Sequence, residues 1–238
     1  MRAPNHGPYT LSGTNSWIVG RNPAYVIDPG PADAAHAQAI CDELERRGGA
    51  AAILLTHDHS DHSGAAALVR RRTGAPLAAM RAGADIELAD GAHVGPLEAL
   101  ATPGHADDHA VFLCDGVCFS GDLVLGEGSV FVAPGRGTLA AYLASLRRLR
   151  ERSLALIAPG HGPLVTDPDA KLDEYLARRL ERERQLLAAL ADGVRGRGEL
   201  LDRVWRELPD ALRPAAAATL EAHLGKLADE GRLPEDLA

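Results

Sequence analysis

The sequence predicts an α/β (α+β) protein whose chemistry gathers at strand ends, followed by a small helical C-terminal domain. Three observations carry this reading. Short, apolar, β-rich runs alternate with stretches of helical periodicity from about residue 9 to 165. Several of those runs end in clusters of histidine, aspartate and glycine. From about Asp169 onward the strand-like runs stop, and leucines recur at helical spacing among charged residues. The expected division is a main domain over residues 1–166 and a helical domain over residues 167–238.

Taken in order, Ser16-Trp17-Ile18-Val19 and Ala24-Tyr25-Val26-Ile27 are short β-rich runs, and Gly20-Arg21-Asn22-Pro23 between them is a turn. Asp28-Pro29-Gly30-Pro31 stops the second strand, and Asp28 reads either as a turn residue or as a neighbour of the histidine loop that follows. A helix over Ala34 to Arg47 turns Ile40 and Leu44 inward and stops at Gly48-Gly49. The run Ala50-Ala51-Ala52-Ile53-Leu54-Leu55 is a buried strand, being short, continuous and apolar. After a polar loop, a helix starts near Ser63-Gly64-Ala65 and ends near Arg72, where Gly74 stops it. Pro76 to Met80 and Leu97 to Ala101 are strands, while residues 81–97, rich in small residues, follow neither period.

Ala110-Val111-Phe112-Leu113 and Val117-Cys118-Phe119 flank Asp115-Gly116, a type I′ hairpin signal. Cys114 then faces Val117, and Cys118 points to the other face of the sheet. Leu139, Tyr142, Leu143, Leu146 and Leu149 mark a helix, and Leu154 to Ile157 the next strand. In the C-terminal segment Leu172, Tyr175, Leu176, Leu180, Leu187 and Leu190 lie on one side of a long helix. Leu200, Leu201, Val204, Trp205 and Leu208 stripe a second helix, and Leu220, Leu224 and Leu227 a third. Pro214 suits the third helix's first turn and Gly231 its C-cap. This segment is too small to hold much core alone, so it is expected to dock on the main domain.

At 238 residues, with 46% hydrophobic and 24% charged residues, the composition is that of an ordinary soluble globular protein. No run approaches the length of a membrane span, and residues 1–8 lack the apolar core of a signal peptide, so a cytoplasmic protein is expected. The net charge of −8 argues against a general electrostatic grip on nucleic acid. Arginine runs are local exceptions, and in the one from Arg178 to Arg184 the alternating Glu181 and Glu183 read as a solvated helix face. Cys41, Cys114 and Cys118 show no metal-type spacing and are expected as free, buried thiols.

The stretch His57-Asp58-His59-Ser60-Asp61-His62 packs three histidines and two aspartates into six residues directly after a strand. A borderline-soft divalent metal such as zinc takes imidazole nitrogen and carboxylate oxygen at this density. His105 after Pro103-Gly104, Asp122 after Gly121 and His161 after Pro159-Gly160 also lie just past strand ends. If those ends point the same way, His57, His59, Asp61, His62, His105, Asp122 and His161 converge on one rim of a sheet. Singly, His105 or His161 would read as a turn or cap histidine; seven such residues on four strand-end loops read as a metal site. His6, His36, His93 and His223 read as surface or core residues.

This set of motifs resembles the metallo-β-lactamase superfamily. The matching elements are Thr56-His57-x-His59-x-Asp61-His62, Pro103-Gly104-His105, Gly121-Asp122 and Pro159-Gly160-His161-Gly162-Pro163. The resemblance implies an αβ/βα sandwich of two mixed β-sheets with the site at one edge. It implies that His57, His59 and His105 hold a first metal, that Asp61, His62 and His161 hold a second, and that Asp122 bridges them. Two zinc ions are the expected cofactors, although other divalent metals suit the same donors. Seven ligands fill such a site, so His109 is expected behind the ligands, as is Asp28, a candidate acceptor for a ligand imidazole. A narrower resemblance is to the lactamase-beta-2-like branch, on Thr14-Asn15-Ser16-Trp17, Gly104-His105-Ala106-Asp107-Asp108-His109, Leu125-Gly126-Glu127-Gly128 and the helices ending His223-Leu224-x-x-Leu227-x-x-x-Gly231. The last element implies a small winged-helix-like domain, with little chain after Leu233 to form a wing.

A pair of divalent ions lowers the pKa of a water held between them, and the resemblance makes Asp61 the residue that orients that water and accepts its proton. Negative charge built at a carbonyl or phosphoryl centre is stabilised by the same pair. The expectation is a metal-dependent hydrolase of an ester-type bond, most of all an acyl thioester, because the acidic balance disfavours RNA. Single-strand endoribonuclease activity is the alternative. The partners are then a small acyl substrate or single-stranded RNA, with no membrane; the oligomeric state is open, a homodimer being one option. A secreted β-lactamase is disfavoured by the absent export signal and by Asp122, where zinc-cysteine classes place a cysteine. An iron-dependent sulfur oxygenase, a flavodiiron-type oxidoreductase and a non-catalytic nucleic-acid-binding protein are the remaining rivals. The C-terminal helices are expected to form one wall of the substrate groove, beside the loop carrying Leu125-Gly126-Glu127-Gly128.

Overall fold

The computed structural model describes residues 1–135, 138–206, 208–234 and 237. Among them, two five-stranded sheets face each other. The first orders β1 (Trp17–Val19), β2 (Ala24–Ile27), β3 (Ala50–Leu54), β4 (Leu77–Ala79) and β5 (Ile86–Glu87). The second contains β6 (His93–Val94), β7 (Leu97–Ala101), β8 (Ala110–Cys114), β9 (Val117–Gly121) and β10 (Leu156–Pro159), lying β10-β9-β8-β7-β6 across the sheet. Both sheets are mixed. β1 pairs antiparallel with β2, which begins a parallel series through β3, β4 and β5. The second is antiparallel from β6 to β9 and closes with β10 parallel to β9. The helices are α1 (Ala34–Arg46), α2 (Ser60–Ser63), α3 (Ala66–Thr73), α4 (Thr138–Arg150), α5 (Pro168–Ala191), α6 (Arg197–Val204) and α7 (Arg213–Asp229), with a 3₁₀ turn at Asp210–Leu212.

The period-two alternation of the strands builds the layers. Val26 and Ile53 point outward onto Ile40 and Leu44 of α1 and Val69 of α3. Their neighbours Ile27 and Leu54 point inward, meeting Leu97, Ala99, Phe112 and Ala158 from the opposite sheet. Leu100, Val111, Cys118 and Ile157 face away from that centre onto Tyr142 and Leu146 of α4 and Leu172 and Tyr175 of α5. The result is an α-β-β-α sandwich whose fully buried large aliphatic and aromatic side chains contribute about 1.5–3 kcal/mol each.

Three local details differ from the sequence reading. Helix begins at Ser60 rather than Ser63, because the His59 carbonyl accepts from the backbone N–H of His62 and Ser63, both at 2.9 Å. Asp61 and His62 therefore sit on a one-turn helix and not on an open loop. Of the cysteines only Cys118 is buried; Cys41 and Cys114 are half-buried, Cys114 because it ends β8 at the hairpin, where Asp115 and Gly116 both take positive φ, 48° and 77°. All three are free.

The third difference concerns α5. Leu180 is 48% exposed, whereas Arg179 and Glu183 are buried. The inward face runs Leu172, Tyr175, Arg179, Glu183, Leu186, Leu190, a clean helical period with two charges at its centre, so the arginine run is not a solvated face throughout. Each buried charge has partners, as burial demands. Arg179 donates to the Val130 carbonyl and lies 5.2 Å from the Tyr142 ring centroid. Glu183 accepts from Lys226 Nζ and Arg232 Nη1, each at 2.7 Å. The first half of α5 belongs to the core of the second sheet, and its second half packs with Leu200, Val204, Leu220, Leu224 and Leu227 of α6 and α7 in a core of their own. The C-terminal segment thus holds more core than its size suggests, and it also docks, through Ala222, on the sandwich core. No strand is found among its described residues. No helix among the described residues is long and apolar enough to cross a membrane.

Within that second core, His223 is 1% exposed and neither ring nitrogen has a hydrogen-bond partner. Burial, reinforced by Arg179, lowers its pKa to about 4. The unfolded chain therefore takes up a proton near pH 6.5 that the folded chain refuses until about pH 4. Stability should be intact above about pH 6.5 and fall by about 3 kcal/mol on acidification toward pH 4 through this group alone. Urea unfolding of the parent and His223→Leu over that range checks it: the parent should lose about 3 kcal/mol more than the variant. Parallel pH profiles would show that the imidazole is protonated freely in the fold.

Candidate metal centre

Each of the seven expected ligands lies at or just past the end of a strand. His57 and His59 follow β3, with Asp61 and His62 on α2; His105 follows β7, Asp122 follows β9 and His161 follows β10. β7, β9 and β10 run in one direction, so their ends open on one rim. The side chains meet there in two groups that share Asp122. In the first, His59 Nδ1 is 3.0 Å from His57 Nε2 and 3.1 Å from His105 Nε2. In the second, His161 Nε2 is 3.2 Å from His62 Nε2 and 3.2 Å from Asp61 Oδ2. Asp122 lies between them, with Oδ1 3.4 Å from both His62 and His161 and Oδ2 3.6 Å from His105.

The hydrogen bonds behind the rings determine which nitrogen faces inward. The Phe131 carbonyl, 2.9 Å from His105 Nδ1, can only accept, so that nitrogen carries the proton and Nε2 presents its lone pair. Asp28 Oδ2 does the same for His62 Nδ1 at 2.8 Å. Thr56 Oγ1 donates to Asp28 Oδ2 at 2.7 Å, so at 3.0 Å it accepts from His57 Nδ1. Asp28, held at a φ of 51°, spends its other oxygen on the Thr56 backbone N–H at 2.8 Å. The Gly13 carbonyl faces His161 Nδ1 at 3.5 Å. His109 takes a different part: its Nε2 accepts from the Asp122 backbone N–H at 3.2 Å and its Nδ1 faces Thr102 Oγ1 at 2.8 Å. It holds the backbone of Asp122 and presents nothing to the cluster.

Inward lone pairs 3.0–3.2 Å apart repel unless a cation or proton lies among them. Ligand atoms of a tetrahedral site with bonds of about 2.0–2.1 Å stand about 3.3 Å apart, which these separations match. Asp122 Oδ1 is buried without a hydrogen-bond partner, as an oxygen reserved for a metal would be. The residues therefore fit metal ions. Charge distribution agrees. Burial holds His57, His105 and His109 below the ordinary histidine value. On His62 burial acts in the same direction, but Asp122 and Asp28 outweigh it and hold the ring well above that value. His161 rises to about 9, against burial, because the carboxylates of Asp122 and Asp61 lie beside its Nε2. Asp122 resists the upward push of burial because His62 and His161 face it, and stays well below the usual carboxylate range. Protons and a divalent ion compete for the same inner nitrogens.

Comparison with known proteins decides the family. Residues 9–92 and 80–161 match the model of the metallo-beta-lactamase superfamily. The chain belongs to that superfamily. Residues 198–236 of this metallo-beta-lactamase-fold protein match the beta-lactamase associated winged helix domain. It is 31% identical to the beta-lactamase-like protein 2 homolog of Drosophila melanogaster, covering 96% of this chain and 87% of that protein. It is 31% identical to the atrochrysone carboxyl ACP thioesterase nsrC of Aspergillus novofumigatus, covering 98% and 79%. The crystal structure of a metallo-beta-lactamase family protein from Thermus thermophilus superposes with a TM-score of 0.77 at 25% identity, over 94% of this chain and 91% of that one.

In this metallo-beta-lactamase fold the cluster opens into a channel of about 630 Å³. His59, Asp61, His105, Asp122 and His161 line its inner end, and Leu125, Glu127, Gly128, Val130 and Phe131 form one side. Trp205, Leu208, Leu212, Ala215 and Ala216 from the C-terminal helices form another, and Arg178, Arg179 and Arg182 of α5 run between. The C-terminal segment is thus a wall of the groove beside the Leu125–Gly128 loop. Sequence reasoning missed Thr56 as the link from Asp28 to His57, and the carbonyls of Phe131 and Gly13 behind His105 and His161. Thr56, directly before the histidine run, was within reach of it; a backbone carbonyl carries no side-chain signal.

Gly160 shows how tightly the second group is drawn. A Cβ there would lie 2.7 Å from His62 Cε1 and 2.8 Å from Asp122 Oδ1. Gly160→Ala should therefore displace ligands of the second group while leaving His57, His59 and His105 in place. The expected result is loss of about one bound ion per chain and of at least about tenfold in turnover, read by elemental analysis and kinetics. Unchanged metal content would show that the loop yields freely.

Proposed function

We propose that the protein is a dinuclear, zinc-dependent hydrolase of acyl thioesters. The observation that carries this is the channel: a metal-ligand cluster at the inner end of a long, mainly apolar cavity suits a reactive carbonyl followed by an acyl group. The thioesterase named among the relatives supports the same choice. His57, His59 and His105 would hold one ion and Asp61, His62 and His161 the other, with Asp122 between. When bound, such ions supply a water of lowered pKa and stabilise negative charge on the substrate oxygen. Asp61, 29% exposed to the channel, is the group we assign to take a proton from attacking water, since against burial its bond to His161 and the charge of His62 together keep it ionised. The carbonyl would lie at the channel's inner end beside His59 and His105, and Leu125, Val130, Phe131, Leu208 and Leu212 exclude water from the acyl group.

Incubation with paired panels of acyl thioesters and labelled single-stranded RNA tests the substrate class. Thioester hydrolysis with intact RNA is expected; RNA cleavage with intact thioesters would overturn the reading in favour of an endoribonuclease. Protein purified without added metal should carry about two zinc-type ions per chain. His57→Ala with His59→Ala should remove at least one of them. One iron and no zinc would sink the zinc assignment.

A further inference from the structure

Beyond the metal channel, a second cleft of about 380 Å³ opens between the C-terminal half of α5 and the end of α6. Arg182, Arg184, Arg203 and Arg206 line it, and no acidic residue does among the described residues. It shares Arg182 and Gln185 with the metal channel, so the two cavities are neighbours along α5. In a chain of net charge −8, this is a local concentration of positive charge.

The arginines are not all spoken for. Arg184 is held by both oxygens of Glu181, at 2.8 and 2.6 Å, and Arg203 pairs with Asp192. Arg182 and Arg206 enter no ion pair among the described residues. Arg182 is fixed by the Val204 carbonyl and Gln185 and lies 5.5 Å from the Trp205 ring centroid; Arg206 donates to the Arg203 carbonyl at 3.2 Å. A guanidinium pre-oriented by backbone and aromatic contacts, with donors left over, is suited to phosphate. Burial and the nearby Arg178 disfavour the charge on Arg182, which an anion in the cleft would relieve.

We propose that this cleft binds the phosphate groups of the thiol carrier to which the acyl group is attached, so that the C-terminal domain selects substrates by carrier as well as by acyl chain. This rests on the thioesterase reading above. The apolar channel takes the acyl end at the metals, and the arginines take the anionic end of the same molecule. The carrier is a phosphorylated pantetheine-type thiol, either free with its nucleotide or tethered to a protein through a single phosphate.

Calorimetric titration of the metal-loaded full chain tests it, with desulfo-coenzyme A, which keeps the carrier's phosphates but cannot be acylated, and with 4′-phosphopantetheine and a short oligoadenylate beside it. Arg203→Gln with Arg206→Gln should weaken desulfo-coenzyme A binding at least about tenfold, and the exposed Arg206→Glu alone should do likewise. Arg46→Gln on α1 serves as the control for a general loss of positive charge and should not. Equal affinity for 4′-phosphopantetheine points to the tethered carrier, and tighter binding of desulfo-coenzyme A to the free one; either supports the cleft. No binding of either compound by the parent, affinity unchanged in the arginine variants, or arginine-dependent binding of oligoadenylate above both would overturn it. Because the titration needs no turnover, binding without thioester hydrolysis would sink the thioesterase reading and keep the cleft. Hydrolysis without arginine-dependent binding would do the reverse.

Discussion

Asp122→Ala should reduce bound metal from about two ions to at most one per chain and turnover by more than about 1000-fold. The expectation follows from position. Among the described residues Asp122 is the one carboxylate that reaches both groups, with Oδ1 toward His62 and His161 and Oδ2 toward His105. Its removal also leaves His62, fully buried, with Asp28 as its remaining close acidic partner beyond the half-exposed Asp61. Asp122→Asn separates charge from shape: it keeps the backbone bond to His109 and the volume, but halves the acceptor capacity. It should fall between parent and alanine variant in metal content. Elemental analysis and kinetics on the same preparations check this, and full metal content in Asp122→Ala would refute the bridging position.

Asp61→Ala should lower hydrolysis of the true substrate by more than about 100-fold while the fold survives. Among the described residues Asp61 pairs with His161 and His62, and it is partly open to the channel, so its loss disturbs little packing. What goes is the carboxylate proposed above to take a proton at the channel's inner end. Asp61→Asn, which holds the same space without a basic oxygen, should be nearly as impaired as alanine and retain more metal. Near-normal turnover with the full complement of metal in either variant would show that proton transfer runs through another group.

Much of this was legible in the sequence. Histidines and aspartates announced themselves because few other needs place them in such density after apolar strands, and strand ends in one direction bring them to one edge. Inward positions of α1 and α4 followed from apolar residues at helical spacing, Ile40 and Leu44 on the first and Leu139, Tyr142, Leu143, Leu146 and Leu149 on the second. What failed did so for stated physical reasons. On α5 the leucine pattern pointed to Leu180, but the buried face is set by Arg179 and Glu183, whose partners on Val130, Lys226 and Arg232 are remote in sequence. Helix α2 was hidden because its one turn is made by polar residues with no periodicity to read. The anchors behind His105 and His161 are carbonyls, which any residue supplies. The arginine cleft needed α5 and α6 side by side before its charges could be seen as one surface.

The two sheets each bring part of every metal position. His57 and His59 come from the first half of the sandwich and meet His105 from the second; Asp61 and His62 come from the first and meet His161 and Asp122 from the second. Neither half alone offers a complete set of donors. An ion seated there acts as a clasp, since it binds only the closed arrangement and by mass action favours it over any in which the halves have parted. At a free concentration a thousandfold above its dissociation constant, one such ion adds about 4 kcal/mol to the union of the halves, comparable to a large share of a domain's net stability. Removing metal with a chelator should therefore loosen the seam between the sheets before it melts either one, with amide exchange accelerating first along β3, β9 and β10, where the ligand loops begin.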